Sequence, residues 1–96
     1  MLELRPVCEH CGKALPNDSN DAMICTFECT FCASCVAEIL NNVCPNCGGG
    51  FEKRPSRPKQ LLERYPAKLD AKFKPINEVA FKALKSRNMA IPPRER

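Results

Sequence analysis

The sequence predicts a small metal-stabilised α+β domain followed by a basic, partly helical extension. The chain has 96 residues, and its eight cysteines all lie in the first half, spaced C-x2-C-x13-C-x3-C-x2-C-x2-C-x8-C-x2-C. A domain of this size buries too little apolar surface to offset its chain entropy without cross-links. At about residue 51 the composition changes from cysteine-rich to basic and proline-punctuated. We therefore predict a two-metal module at residues 1–52 and an extension at residues 53–96.

The first half of the module is predicted to be an arm, a knuckle and a hairpin. Residues 1–7 have the pattern of a short strand or arm, and Cys8–Gly12 forms a metal knuckle whose glycine permits a sharp turn. After a polar loop, strand character begins at Met23, and Thr30-Phe31 continues it as the second half of the hairpin.

A short helix and a second knuckle complete the module. Cys32-Ala-Ser-Cys35 leads into the helical stretch 36–40, which Asn41-Asn42 ends, and Cys44–Gly48 repeats the C-x2-C-G pattern of the first knuckle. The apolar side chains of the module predict a small core between the two metal sites, formed by Phe27, Phe31, Ile39, Leu40 and Phe51.

The extension is predicted to contain one good helix, at about residues 75–88. Pro75 suits a first helical turn, and the apolar stripe of the helix is predicted at Ile76, Val79, Ala80, Ala83 and Leu84. We expect this stripe to pack back on the module, because an exposed apolar stripe is a liability. The other possibility is that the stripe contacts a partner or a second copy of the chain.

The cysteine pattern favours metal over disulfides. Paired C-x2-C units suit a metal knuckle and are too close for a relaxed disulfide. The start Met1-Leu-Glu-Leu-Arg5 is not a secretory signal, so we expect a cytoplasmic protein with reduced thiols. Four thiolates make a closed tetrahedral zinc site, so eight predict two Zn²⁺ ions. No apolar run approaches the roughly 20 residues that span a bilayer, so we expect no membrane partner.

Two assignments of cysteines to sites are open. Adjacent pairs could fill the sites in order, 8/11 with 25/29 and 32/35 with 44/47. We favour an interleaved assignment, because a knuckle paired with a C-x2-C at a helix N-terminus is compact and the helix dipole stabilises its negative charge. The first site is then Cys8, Cys11, Cys32 and Cys35, and the second is Cys25, Cys29, Cys44 and Cys47.

The order and spacing of these cysteines resemble the RING finger, a cross-braced fold with two zinc ions. Cys44-Pro45-Asn46-Cys47 matches the last ligand pair of that pattern, and Cys29 stands where a histidine is usual. The resemblance implies a cross-braced, treble-clef-type module. RING fingers commonly act as ubiquitin ligases and use an apolar residue after the first cysteine, but here that residue is Glu9. This departure argues against ligase activity.

A closer resemblance covers residues 2–67. Leu2-Glu-Leu-Arg-Pro6, Cys25-Thr-Phe-Glu-Cys-Thr-Phe-Cys32, Cys44-Pro-Asn-Cys-Gly-Gly49, Arg54-Pro-Ser-Arg-Pro58 and Tyr65-Pro-Ala67 are similar to a family of short bacterial proteins known as domain of unknown function 1272. The resemblance implies a bacterial source and a zinc-binding module. It implies no activity.

The charge distribution leaves two classes of partner open. Residues 1–50 carry two basic and six acidic side chains, a net charge of −4, and residues 51–96 carry 13 basic and five acidic ones, a net charge of +8. The basic half could fold back on the acidic one, or it could track phosphates. Candidate nucleic-acid contacts are Lys53, Arg54, Arg57, Lys59 and Arg64.

No catalytic constellation accompanies the cysteines. Ser34 and Ser56 have no histidine–carboxylate partners in a recognisable order, and His10 is expected to be exposed or to lie behind the ligands. A zinc ion held by four cysteines has no open position for water. An iron electron carrier is another possibility, but rubredoxin-type sites use only four cysteines. We therefore expect a non-enzymatic adaptor or regulatory module that binds another protein, with nucleic-acid binding as the alternative. The sequence leaves the oligomeric state open.

Overall fold

The computed structural model describes residues 1–96 and contains one antiparallel sheet and three short helices. Strand β1 (Ala22–Ile24) lies between β2 (Thr30–Cys32) and β3 (Glu52–Lys53). Helix α1 follows β2 directly and has two parts, an α-helical turn over Ala33–Cys35 and a π-helical stretch over Val36–Leu40. Helices α2 (Lys59–Leu62) and α3 (Glu78–Asn88) and a 3₁₀ turn (Pro93–Glu95) follow. None of the helices has the length and apolar character needed to cross a membrane.

The predicted hairpin is present, with Ala22 opposite Cys32 and Ile24 opposite Thr30. Its turn contains Glu28 in the left-handed conformation, with φ of 64°, which costs a non-glycine residue about 1–2 kcal/mol. The side chain of this strained residue makes a long-range hydrogen bond: the Glu28 carboxylate accepts the Glu3 N–H at 2.9 Å. The turn is therefore tied to the N-terminal arm.

The core lies between the sheet, α1 and the second knuckle. Phe31, Leu40 and Phe51 are buried as predicted, and the rings of Phe31 and Phe51 meet edge to face with centroids 5.5 Å apart. Ile39 is partly buried against them. The prediction for Phe27 is wrong: this residue lies on the hairpin turn, beyond the paired strands, and is 70% exposed.

Helix α1 ends at the two asparagines that the sequence indicated. Asn41 and Asn42 have φ of 48° and 59°, a left-handed conformation that asparagine tolerates better than most residues. The Asn42 side chain accepts the Phe51 N–H at 2.9 Å. This bond links the end of α1 to the residue that precedes β3.

Helix α3 begins three residues later than predicted, because Asn77 caps it. The Asn77 side chain accepts the N–H groups of Val79 and Ala80, each at 3.1 Å. The buried face also differs from the predicted stripe: Phe81 is buried, whereas Val79 is 87% exposed. Phe81 belongs to the same core cluster as the cysteine residues, so α3 packs back on the module.

Arg54 holds the loop before the hairpin and the N-terminal arm together from inside. Its side chain is buried, and its guanidinium donates to the carbonyl oxygens of Arg5 and Leu15 at 3.0 Å and of Pro16 at 2.8 Å. Its Nε–H is buried without a partner. Because three backbone carbonyls converge on it, Arg54 is part of the internal structure.

Candidate metal centre

Four cysteine sulfurs meet between the first knuckle and the start of α1. The Sγ atoms of Cys8, Cys11, Cys32 and Cys35 all lie within 4.8 Å of one another, and we name this group cluster 1. Cys8 and Cys11 come from the knuckle. Cys32 is the N-cap residue of α1, and Cys35 lies within its first turn. The sequence therefore folds so that two local pairs, 21 residues or more apart along the chain, face each other.

The spacing of the sulfurs in cluster 1 fits a tetrahedral thiolate site. Zinc binds thiolate sulfur at about 2.3 Å, which places the corners of a regular tetrahedron about 3.8 Å apart. The Sγ atoms of Cys11 and Cys32 are 3.7 Å apart. An all-sulfur donor set suits soft or borderline ions such as zinc and does not suit calcium or magnesium.

The two knuckles have the same backbone conformation. In the first, the Gly12 N–H donates to the Cys8 carbonyl at 3.0 Å, and in the second the Gly48 N–H donates to the Cys44 carbonyl at 2.8 Å. Both glycines have φ of 78°. In each knuckle the N–H of the first cysteine also bonds to the carbonyl five residues later, at 2.8 Å. This shared geometry explains the repeated C-x2-C-G pattern, since only glycine adopts that φ without strain.

A second group of sulfurs joins the hairpin to the second knuckle. The Sγ atoms of Cys25, Cys44 and Cys47 lie within 4.8 Å of one another, and we name this group cluster 2. The fourth residue predicted for this site, Cys29, is buried beside the group but its sulfur is outside that mutual distance. The Asn46 side-chain amide donates to Cys29 Sγ at 3.3 Å. The grouping of cysteines is thus interleaved along the chain.

Hydrogen bonds to sulfur mark cluster 2 as a place for negative charge. The Phe27 N–H donates to Cys25 Sγ and the Gly49 N–H to Cys47 Sγ, each at 3.4 Å. An interaction with the Cys44 thiol, together with the Asn46 amide and Cys25, lowers the pKa of Cys29 to about 5 against the effect of burial. Burial raises the pKa of Cys25 to about 11.

Cluster 1 shows the same competition between burial and neighbouring donors. Burial raises the pKa of the Cys35 thiol. Burial also opposes ionisation of Cys11, but hydrogen bonds from the Lys13 backbone and the neighbouring thiols lower the pKa of Cys11 overall. Without a cation, the sulfurs of one cluster cannot all ionise, because like charges a few ångströms apart repel. A bound divalent ion removes that restriction, and its binding releases the thiol protons.

A buried ion pair supports the first knuckle from behind. Glu9 is buried, and its carboxylate accepts from Arg5 Nη1 and from the Thr30 N–H, both at 2.8 Å. The Glu9 N–H donates in turn to the Thr30 carbonyl at 3.0 Å. Glu9 therefore fixes the knuckle to strand β2, which leads into Cys32. His10, which was expected to be exposed or behind the ligands, accepts the Ile76 N–H at Nδ1, at 2.9 Å.

The five candidate nucleic-acid contacts divide into two groups. Arg54 is buried and Arg57 is partly buried, and the guanidinium of Arg57 donates to the carbonyls of Leu2 and Tyr65, each at 2.7 Å. The prediction for Arg54 is wrong, because its donors are used inside the protein. Lys53, Lys59 and Arg64 are exposed.

Sequence reasoning missed two structural residues, Glu9 and Arg54, whose partners include residues far away along the chain. In the sequence, Glu9 stands out only as a departure from the RING pattern, and Arg54 only as one of several basic residues of the extension. The one available signal was position, since Glu9 directly follows Cys8 and Arg54 lies two residues after the predicted end of the module. Their buried partners, Arg5, Thr30 and the carbonyls of Leu15 and Pro16, come from elsewhere in the chain.

Comparison with known proteins places the chain in a family. Residues 1–57 match the family model described as a protein of unknown function, DUF1272. The chain belongs to this family. It is also 57% identical over 75 residues to an uncharacterised protein of Rhizobium meliloti (strain 1021), a match that covers 78% of this chain and 89% of the relative. No solved structure matches the chain.

Proposed function

We propose that the protein binds two Zn²⁺ ions in two four-cysteine sites and acts as a protein-interaction or regulatory adaptor, without catalysis at the metal. The observation that carries this proposal is cluster 1, in which four sulfurs from two distant segments lie within 4.8 Å of one another. Four thiolates saturate a zinc ion and leave no position for water or substrate, which is the mark of a structural site. Metal is then the cross-link that so small a module requires.

Cys29 completes the second site in this proposal. Two observations support it: the Asn46 amide donates to its sulfur, and its interaction with Cys44 favours the thiolate, the form that binds metal. The resulting sites, 8/11/32/35 and 25/29/44/47, are interleaved in the manner of a RING-like cross-brace. With both ions bound, eight thiolates and two Zn²⁺ take the charge of residues 1–50 from −4 to about −8.

Two other activities have less support. The position after Cys8 offers no apolar contact to a conjugating enzyme, because the Glu9 carboxylate is buried on Arg5. Ubiquitin-ligase activity is therefore disfavoured. Iron in place of zinc would give a coloured protein, whereas a zinc–thiolate protein is colourless.

Nucleic-acid binding is the second candidate, and one observation favours it. The ion pairs of the protein are Arg5–Glu3, Arg5–Glu9 and Lys13–Asp21. None of them involves a basic side chain of residues 53–96, so the basic half is not neutralised by direct pairing with the acidic half. Lys53, Lys59 and Arg64, with further exposed lysines, remain available to a polyanion.

Native mass spectrometry with and without a chelator tests the metal proposal. We expect the wild-type protein to carry two zinc ions and to have no visible absorption. Cys8→Ser and Cys29→Ser should each lower the zinc content, whereas Ser34→Ala, an exposed matched control on α1, should keep both ions. Wild-type protein that binds no zinc would refute the proposal. If Cys29→Ser retained two ions at wild-type affinity, Cys29 would not be a ligand.

The adaptor role is tested by affinity capture from cell extract. Zinc-loaded protein should retain a protein partner that chelated protein does not. Turnover of a substrate that depends on the bound ion would instead contradict a purely structural role for the metal.

A further inference from the structure

We infer that the C-terminal segment, residues 73–96, is a strap that slows metal release from both clusters, with one part lying on each knuckle. The inference rests on the metal binding proposed above. It assigns a role to the part of the chain that lies beyond the eight cysteines and beyond the residues matched by the family model.

The start of the strap lies on the first knuckle. The Lys74 N–H donates to the Glu9 carbonyl at 2.7 Å, and the Ile76 N–H donates to His10 Nδ1 at 2.9 Å. The Phe73 ring covers Gly12, since a Cβ placed on that glycine would lie 3.3 Å from a ring carbon. Three positions within four residues of the strap thus reach the short loop that carries Cys8 and Cys11.

The end of the strap lies on the second knuckle in an equivalent way. The Asn88 side-chain amide donates to the Gly48 carbonyl at 3.0 Å, and Arg96 Nη1 donates to the same oxygen at 3.2 Å. A Cβ placed on Gly48 would lie 2.6 Å from Asn88 Nδ2 and 3.3 Å from a methyl carbon of Leu84. Both knuckle glycines are therefore covered by side chains of the same segment.

The covered position is the one where each cluster is most open. In each cluster the exposed ligand is the second cysteine of the knuckle, Cys11 in cluster 1 and Cys47 in cluster 2; the other six cysteines are buried. Each exposed cysteine immediately precedes the glycine under the strap. A chelator or proton reaches an exposed thiolate first, and complete release then requires the knuckle loop to move. Contacts that hold the glycine oppose that movement.

If the strap contacts each knuckle separately, a substitution in it should change the rate of metal release from one cluster only. If the strap merely stabilises the whole fold, the same substitution should change the release rates of both clusters equally. Phe73 is 57% exposed, so truncating it removes little core packing but uncovers Gly12. Removing the Asn88 amide breaks a hydrogen bond to the second knuckle and leaves the contacts of the first unchanged. The two variants should therefore accelerate release from different clusters.

The experiment follows zinc release from the full chain after addition of excess chelator. A chromogenic chelator records total zinc, and pulsed alkylation with peptide mass spectrometry records when Cys11 and Cys47 become reactive. We expect Asn88→Ala to accelerate the appearance of reactive Cys47 about five-fold, the effect of one hydrogen bond, with Cys11 unchanged. Phe73→Ala should accelerate the appearance of reactive Cys11 by a similar factor and leave that of Cys47 unchanged. Arg96→Ala, like Asn88→Ala, should accelerate the appearance of reactive Cys47.

Ser86→Ala is the matched control, because Ser86 is exposed on the same helix as Asn88. Wild-type release rates in Phe73→Ala, Asn88→Ala and Arg96→Ala would overturn the strap. Equal acceleration of Cys11 and Cys47 in every variant would also overturn it, since that pattern indicates general stabilisation. Absence of zinc from the protein before chelator is added would refute the proposed metal binding itself, and native mass spectrometry distinguishes that failure from the other two.

Discussion

Replacing Arg54 by methionine should destabilise the zinc-loaded protein by about 3 kcal/mol. The guanidinium donates three hydrogen bonds, to the carbonyls of Arg5, Leu15 and Pro16. Hydrogen bonds to a charged group contribute about 1.5 kcal/mol or more each, which gives about 4.5 kcal/mol. The buried, unpaired Nε–H costs about 1–2 kcal/mol, and methionine removes that cost.

The burial of Arg54 affects the ionisation of its guanidinium as well as its contacts. Burial lowers the pKa of the Arg54 guanidinium, so the charge is held there by the carbonyl dipoles and no acidic side chain is paired with it. Methionine keeps most of the side-chain length and flexibility. The loss measured would therefore come mainly from the three hydrogen bonds, with little contribution from a cavity.

Urea denaturation of zinc-loaded wild-type and variant proteins, followed by circular dichroism, measures this difference. A loss of about 3 kcal/mol is a large part of the stability of so small a domain, and it should lower the denaturation midpoint without changing the slope. Lys53→Met is the matched control, since Lys53 is exposed and adjacent, and it should change stability by less than about 0.5 kcal/mol. A loss below about 1 kcal/mol for Arg54→Met would refute the reasoning.

Two other predictions follow from exposure and charge. Phe31→Ala should lower the free energy of unfolding by about 3–5 kcal/mol, because the Phe31 ring is buried against Phe51. Phe27→Ala should lower it by less than about 0.5 kcal/mol, because Phe27 is 70% exposed. Equal losses in urea denaturation would contradict the observed core. If the basic half binds nucleic acid, affinity for a single-stranded oligonucleotide in fluorescence anisotropy should fall steeply with salt and should fall in Arg64→Ala but not in Ser86→Ala. No binding at low salt would remove that function.

Local features of the sequence were sufficient to predict the elements that carry the cysteine clusters. The C-x2-C-G pattern predicted two knuckles, and these have one backbone conformation because each requires a glycine with positive φ. The hairpin and the helix that follows Cys32 were also predicted from neighbouring residues. These features depend on contacts within a few residues, so periodicity and spacing carry enough information.

The structure decided which residues face inward wherever the partner is distant in the chain. The sequence offered Phe27 and Phe31 as equivalent core candidates, but only Phe31 lies on a paired strand against Phe51. Helix α3 buries Phe81 and exposes Val79, and its Asn88 contacts Gly48 of the second knuckle, 40 residues away along the chain.

The sequence by itself determined the candidate ligands, eight thiols in knuckle and hairpin segments, together with the short elements that carry them. Only the tertiary structure decided which thiols share a cluster, that Arg54 is internal, and that the C-terminal segment lies across both knuckles. The physical reason is the range of the interactions. Turn geometry and helix periodicity act between neighbours, whereas the burial of a charge or an aromatic ring depends on surfaces that meet only when the whole chain has folded.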